Sequence, residues 1–94
     1  IDTRTTREAR RAETITQAQL LDKPQWQALD AWMRAAPTDA PSLLVSPAMP
    51  LPRTLRVAED ADAALHSDGW DGYPASLHRL LALFAELPDR RFVF

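Results

Sequence analysis

Pro74-Ala75-Ser76-Leu77-His78-Arg79-Leu80-Leu81-Ala82-Leu83-Phe84-Ala85-Glu86-Leu87-Pro88-Asp89-Arg90-Arg91-Phe92-Val93-Phe94 is the stretch on which the fold turns. Proline is favoured in the first turn of a helix, where its missing N–H costs nothing. Leu77, Leu80, Leu81, Phe84 and Leu87 follow at helical spacing and form a broad apolar face, and Pro88 stops the helix. Asp89-Arg90 then turns the chain into Arg91-Phe92-Val93-Phe94, a β-rich apolar run. The spacing predicts a helix at 75–87 and a strand at 90–94. Upstream, Ser42-Leu43-Leu44-Val45-Ser46 lies between Pro41 and Pro47. It is too short for a helix and does not alternate, which predicts a buried strand at 42–46. Strand, helix and strand in this order predict two parallel strands joined by a right-handed crossover. Parallel strands normally sit inside larger sheets, so the expected fold is α/β and a fragment of something larger.

Two more helices are expected. Pro24 opens one at 24–36, with Trp26, Leu29, Met33 and Ala36 on one apolar stripe, Trp32 beside it, and Pro37 as its stop. Leu55, Ala58, Ala61, Ala64 and Leu65 recur at helical spacing opposite Glu59, Asp60 and Asp62, predicting another at 55–65. Pro47, Pro50 and Pro52 hold the intervening loop extended. Residues 1–14 are too polar for a core element and are expected on the surface. Thr16 and Gln19 have the spacing of a capping box and predict a short element near 16–21. Residues 67–72 are a loop in which Gly69 and Gly72 free the backbone around Trp70. The whole of 1–94 reads as one partial domain. The start at Ile1 without methionine and the uncapped Phe-Val-Phe end are expected from a segment cut within a larger sheet.

The bulk composition narrows the function classes. The 94 residues are 46% hydrophobic and 26% charged, ordinary for a globular protein. A formal net charge of -2 offers no basic field for nucleic acid or an anionic membrane. No apolar run approaches the roughly 20 residues of a membrane span. Cysteine is absent, which removes disulfides, thiolate nucleophiles and thiolate metal sites. Of the 11 lysine and arginine residues only Lys23 is lysine, a usage that suggests a GC-rich bacterial genome. Exported and cytoplasmic locations both stay open.

Self-contained catalytic sets are missing. His66 and His78 lie on different expected elements without a zinc-binding spacing and read as ordinary helix residues. Glu59, Asp60, Asp62, Asp68 and Asp71 lack the register of a calcium loop. The first three read as a solvated helix face, whereas Asp68 and Asp71 flank Trp70 in the glycine loop. No nucleophile elbow or phosphate-binding glycine loop occurs. Ser46 sits at a strand end, where α/β proteins place functional groups, although a strand-end hydrogen bond is the commoner use. Trp70 reads either as a packing lid or as part of a ligand wall.

The run Ser67-Asp68-Gly69-Trp70-Asp71-Gly72-Tyr73-Pro74, then Arg79-Leu80-Leu81 and the final strand, resembles the alkaline phosphatase D-like metallophosphatases. In that family a D-x-W-D-G-Y-P-A loop leads into an R-x-L-L helix and then a strand that ends in a metal-binding G-D-x-H. Asp2-Thr3-Arg4 is similar to the family's D-x-R at a strand end. Gln25 to Trp32 resembles its Q-x-x-x-L-x-x-W helix, and Leu43 to Pro47 the strand before its active-site loop. The resemblance implies a segment of a metallophosphoesterase-type sandwich acting on phosphate mono- or diesters. It implies metal ions of a dinuclear or iron/calcium type for the whole protein, with none bound by these residues. The side chains it places near substrate are Asp2, Arg4, Ser46, Trp70, Asp71 and Tyr73. Arg4 would pair with phosphate; Asp2 or Asp71 are its alternative partners. The competing expectation is a non-catalytic α/β interaction module or degenerate relative, with an open strand edge that offers a homodimer contact.

Overall fold

In the computed structural model, which describes residues 1–50 and 67–94, the first helix begins where Asp22 caps it. The Asp22 carboxylate accepts from the Gln25 backbone N–H at 3.0 Å, satisfying one of the donors a helix start leaves open. α1 (Lys23–Ala35) then ends at its C-cap Ala36, the residue before Pro37. Trp26, Leu29, Met33 and Ala36 are all buried, as the spacing predicts. The chain continues through β1 (Ser42–Leu43), one 3-10 turn (Trp70–Gly72), α2 (Pro74–Glu86) and β2 (Phe92–Val93). The helix expected at 55–65, with Glu59, Asp60, Asp62 and the neighbouring His66, lies outside the described residues.

The strands pair in parallel, Ser42 beside Phe92 and Leu43 beside Val93. Ser42 N–H donates to Arg91 O and Leu44 N–H to Val93 O, both at 2.8 Å. The mixed α/β class and the parallel pairing therefore agree with the sequence. The strands are shorter than the expected 42–46 and 90–94, and β1 is not buried on both faces. Leu44 points into the core at 5% exposure, while Leu43 and Val45 are 65% and 66% exposed. The helices cover one face of the two-stranded sheet, which imposes the alternation that the sequence run itself lacks.

Side chains of α1 and α2 join Leu44 in one apolar cluster. Ser76, Leu80 and Leu83 are the buried positions of α2, with Leu77, Phe84 and Leu87 partly buried around them. Leu81, expected on the apolar face, is 53% exposed, because the buried stripe is narrower than the leucine content. An aromatic series runs Trp26–Trp70–Phe94–Phe84–Phe92–Trp32, edge-to-face as far as Phe84 and tilted at the two Phe92 contacts, with ring centroids 5.5 to 6.5 Å apart. Each fully buried large apolar side chain contributes roughly 1.5–3 kcal/mol. The completely buried Trp26, Met33, Trp70 and Leu80 therefore dominate the packing. At the far ends of the helices Arg34 bonds Asp30 at 3.0 Å and Glu86 of α2 at 2.7 Å.

The polar N-terminal arm, residues 1–14, lies at the surface as expected, Thr3 apart. It folds back over the 67–76 region and is held by hydrogen bonds more than by apolar burial. Glu8 N–H donates to Gln19 O, and Gln19 N–H donates to the Glu8 carboxylate, each at 2.9 Å. That pairing engages Gln19, so the Thr16–Gln19 capping box does not form and residues 12–17 are turns. The segment after the arm supplies core: Ile15, Ala18, Leu20 and Leu21 are buried, with Thr3 of the arm itself. Ser76, wholly buried in α2, accepts from Leu20 N–H at 2.9 Å and hydrogen-bonds Gln19 Oε1 at 3.2 Å.

Candidate functional site

The loop leading into α2 is shaped by Gly69 and Trp70. A Cβ on Gly69 would fall 2.7 Å from Asp71 Oδ1 and 3.0 Å from Met49 O, so a side chain has no room. Met49 O accepts the Trp70 N–H at 3.0 Å, which draws the loop against the segment after β1. Asp71 Oδ1 accepts from the Ser67 hydroxyl at 2.5 Å and closes the loop from the other side. Gly72 N–H and Tyr73 N–H then bond back to Gly69 O and Trp70 O, making the tight turn from which α2 starts.

Trp70 is wholly buried and stands edge-on to Trp26 and to Phe94, each 6.2 Å away between centroids. Its indole Nε1 donates to Ser46 Oγ at 3.1 Å. Ser46 Oγ also accepts from Ala48 N–H at 3.2 Å and donates to Ala48 O at 2.9 Å. One proton and two lone pairs are then all in use, so the hydroxyl has no capacity left for a ligand. In this arrangement Trp70 is a packing element, and Ser46, three residues past the end of β1, satisfies its indole N–H.

Tyr73 is also buried. Its hydroxyl donates to Glu8 O at 3.0 Å, and the Arg10 guanidinium lies 4.5 Å over its ring while bonding Gly72 O at 3.0 Å. Arg79 stacks 4.4 Å over the Trp26 ring. A desolvated cation over an aromatic face is worth up to about 2 kcal/mol, less where the cation is exposed as here.

Asp2 and Arg4 begin the arm. The Asp2 carboxylate accepts from Arg4 N–H at 2.9 Å and Thr5 N–H at 3.0 Å. These backbone donors, Thr5 first and then Arg4, lower its pKa to about 2. Gln25 of α1 clasps the same residue, accepting from Asp2 N–H at 2.8 Å and donating to Asp2 O at 3.0 Å. Arg4 pairs with neither Asp2 nor Asp71 through its side chain; it reaches Asp68, at 3.1 Å. Arg7 bonds the other oxygen of the same carboxylate. The Arg7 hydrogen bond is the main reason that the Asp68 pKa lies below the usual carboxylate value, with the charge of Arg7 next. The same bond raises the Arg7 pKa.

The six side chains singled out from sequence thus fall into separate groups. Half-buried Ser46 and fully buried Trp70 are bonded to each other. Asp71 is held by Ser67, Tyr73 by the arm, and Asp2 by its own backbone. Arg7 and Asp68, which join Arg4 into a charged cluster, were not singled out as a pair; the signal for Arg7 was only its place in an arginine-rich run. Among the described residues no three histidine, aspartate or glutamate side chains come together as a metal site would require. Asp2, Asp68 and Asp71 each accept from donors of this chain. No described helix is long and apolar enough to cross a membrane. In comparison with known proteins, the chain matches no family model, no curated protein and no solved structure.

Proposed function

We propose that these residues belong to a metal-dependent phosphoesterase of the alkaline phosphatase D-like kind, hydrolysing phosphate mono- or diesters. In this reading they supply scaffold and a pocket wall, and the metal ligands come from other parts of the protein. The observation that carries it is the run Ser67 to Pro74, followed in order by Arg79-Leu80-Leu81 and the Phe92–Val93 strand. Support comes from the meeting of two pieces of the resemblance that are distant in sequence. Asp2-Thr3-Arg4 lies against the tryptophan loop through the Arg4–Asp68 pair. The test is to express the complete reading frame, load it with metal, and assay p-nitrophenyl phosphate and its diester. Hydrolysis that chelator abolishes and added metal restores is the expected result; a metal-loaded protein that cleaves neither would sink the reading.

A second reading, a non-catalytic α/β interaction module, draws on the bare outer face of the sheet, where Leu43, Val45 and Val93 are each more than half exposed. In that reading the open strand edge receives a second copy, and a stable monomer in sedimentation would count against it. The residues encoded just after Phe94 separate the two readings: a G-D-x-H there favours the enzyme.

A further inference from the structure

Arg4 and Arg7 converge on one carboxylate, each guanidinium taking a different oxygen of Asp68. This is how two guanidinium groups hold a tetrahedral oxyanion, which offers more acceptor oxygens and more charge than a carboxylate. We propose that the Arg4–Arg7 pair is a phosphate-binding site and that Asp68 is its internal plug, displaced when a phosphate monoester dianion enters.

Several features make the exchange feasible. Asp68 is anchored by nothing but this pair among the hydrogen bonds and ion pairs described, and 54% of its side chain is exposed. Released, it returns to water at little cost. The backbone that carries Arg4 is fixed independently of it. The Asp2 carboxylate holds the backbone N–H groups of Arg4 and Thr5, and Gln25 clasps both Asp2 and Thr6. Both guanidinium groups reach solvent, with side-chain exposures of 59% for Arg4 and 32% for Arg7. Beside Arg7 a hollow of about 310 Å³, lined by Arg7, Glu8, Ala9, Arg10 and Tyr73, gives room for the group that carries the phosphate. With Arg4, Arg7 and Asp68 the cluster keeps net positive charge even while plugged.

The choice of phosphate as the natural occupant rests on the phosphoesterase reading; the two-arginine geometry does not. The test titrates inorganic phosphate into the intact protein at constant ionic strength and neutral pH, read by calorimetry, with acetate as the comparison anion. If the plug occupies the pair about nine-tenths of the time, apparent affinity is reduced about tenfold. Asp68→Asn should therefore bind phosphate about tenfold more tightly than the unaltered protein. Arg4→Gln combined with Arg7→Gln should abolish binding while circular dichroism stays helical. In the unaltered protein, saturating phosphate should move the Asp68 carboxyl titration, followed by carbon NMR, up toward an ordinary aspartate. That measurement needs no variant to fold. Phosphate affinity unchanged in Asp68→Asn, an Asp68 titration indifferent to phosphate, or acetate binding as tightly as phosphate would each overturn the proposal. A protein that binds phosphate at this pair yet hydrolyses no ester would keep the site and discard the enzymatic reading.

Discussion

Ser46 is saturated by Trp70 Nε1 and by both backbone groups of Ala48, so its removal is felt in the core before it is felt anywhere else. Ser46→Ala leaves a buried indole N–H without an acceptor and should destabilise the fold by about 1–3 kcal/mol in urea denaturation. If Ser46 instead served a ligand at the surface, stability would hold. Gly69 is constrained by Met49 O as well as by Asp71, and only the carboxylate end can move aside. Gly69→Ala should cost about 1–3 kcal/mol by the same measurement. At this scale the sequence offered candidates and not partners. Ser46 could be read as a strand-end hydrogen bond, but its donor is 24 positions away. Arg4 was expected to find Asp2 or Asp71 and takes Asp68 instead. Asp2 turns its carboxylate back on its own backbone N–H groups, a local bond that outcompetes a longer reach.

The helices were the most legible elements, because proline marks both their starts and their stops. The bounds Lys23–Ala35 and Pro74–Glu86 differ from 24–36 and 75–87 by one residue at each end. The cap that sets the first of these is Asp22, and Asp22→Ala should lower stability by about 1 kcal/mol, measured by thermal melting followed at the helical circular dichroism band. An unchanged melt would mean that the proline alone fixes the start. Strand positions were also legible, and strand lengths were not. An apolar run without alternation implies cover on both faces. Here one face is covered, and Val45 and Leu43 stand outside although their residue types argue for burial. The arm was the least legible part, since hydrogen bonds such as Glu8 to Gln19 and Tyr73 to Glu8 leave no periodic trace.

For the molecule as a whole, charge connects the arm to the loop and sets a response to acid. Asp2 and Asp68 both have native pKa values below the ordinary aspartate value. The unfolded chain therefore binds protons first, and the stability these groups contribute is present above about pH 4 and lost as pH falls toward their native values. The thermal midpoint should stay level from neutral pH to about pH 4 and then drop toward pH 2. In Asp68→Asn the drop should be smaller, because one of the two titrating groups is gone. A midpoint in the variant that falls as steeply as in the unaltered protein would show that Asp68 does not tie the arm down. The overall class, α/β with a parallel pair, was visible because the order of strand, helix and strand is a one-dimensional property. How the candidate residues group was not, because folding the arm across the loop brings together residues more than 60 positions apart.

The unequal placement of the three indoles has an optical consequence. Trp26 and Trp70 sit edge-on to each other in the interior, while Trp32 is 40% exposed. Emission from the native protein should divide into a blue-shifted part that iodide cannot reach and a quenchable part from Trp32 alone. The close, rigid Trp26–Trp70 pair should couple excitonically and give a near-ultraviolet dichroic band that vanishes when the tryptophan loop lifts. Opening of that loop can thus be timed in stopped flow without attaching any label.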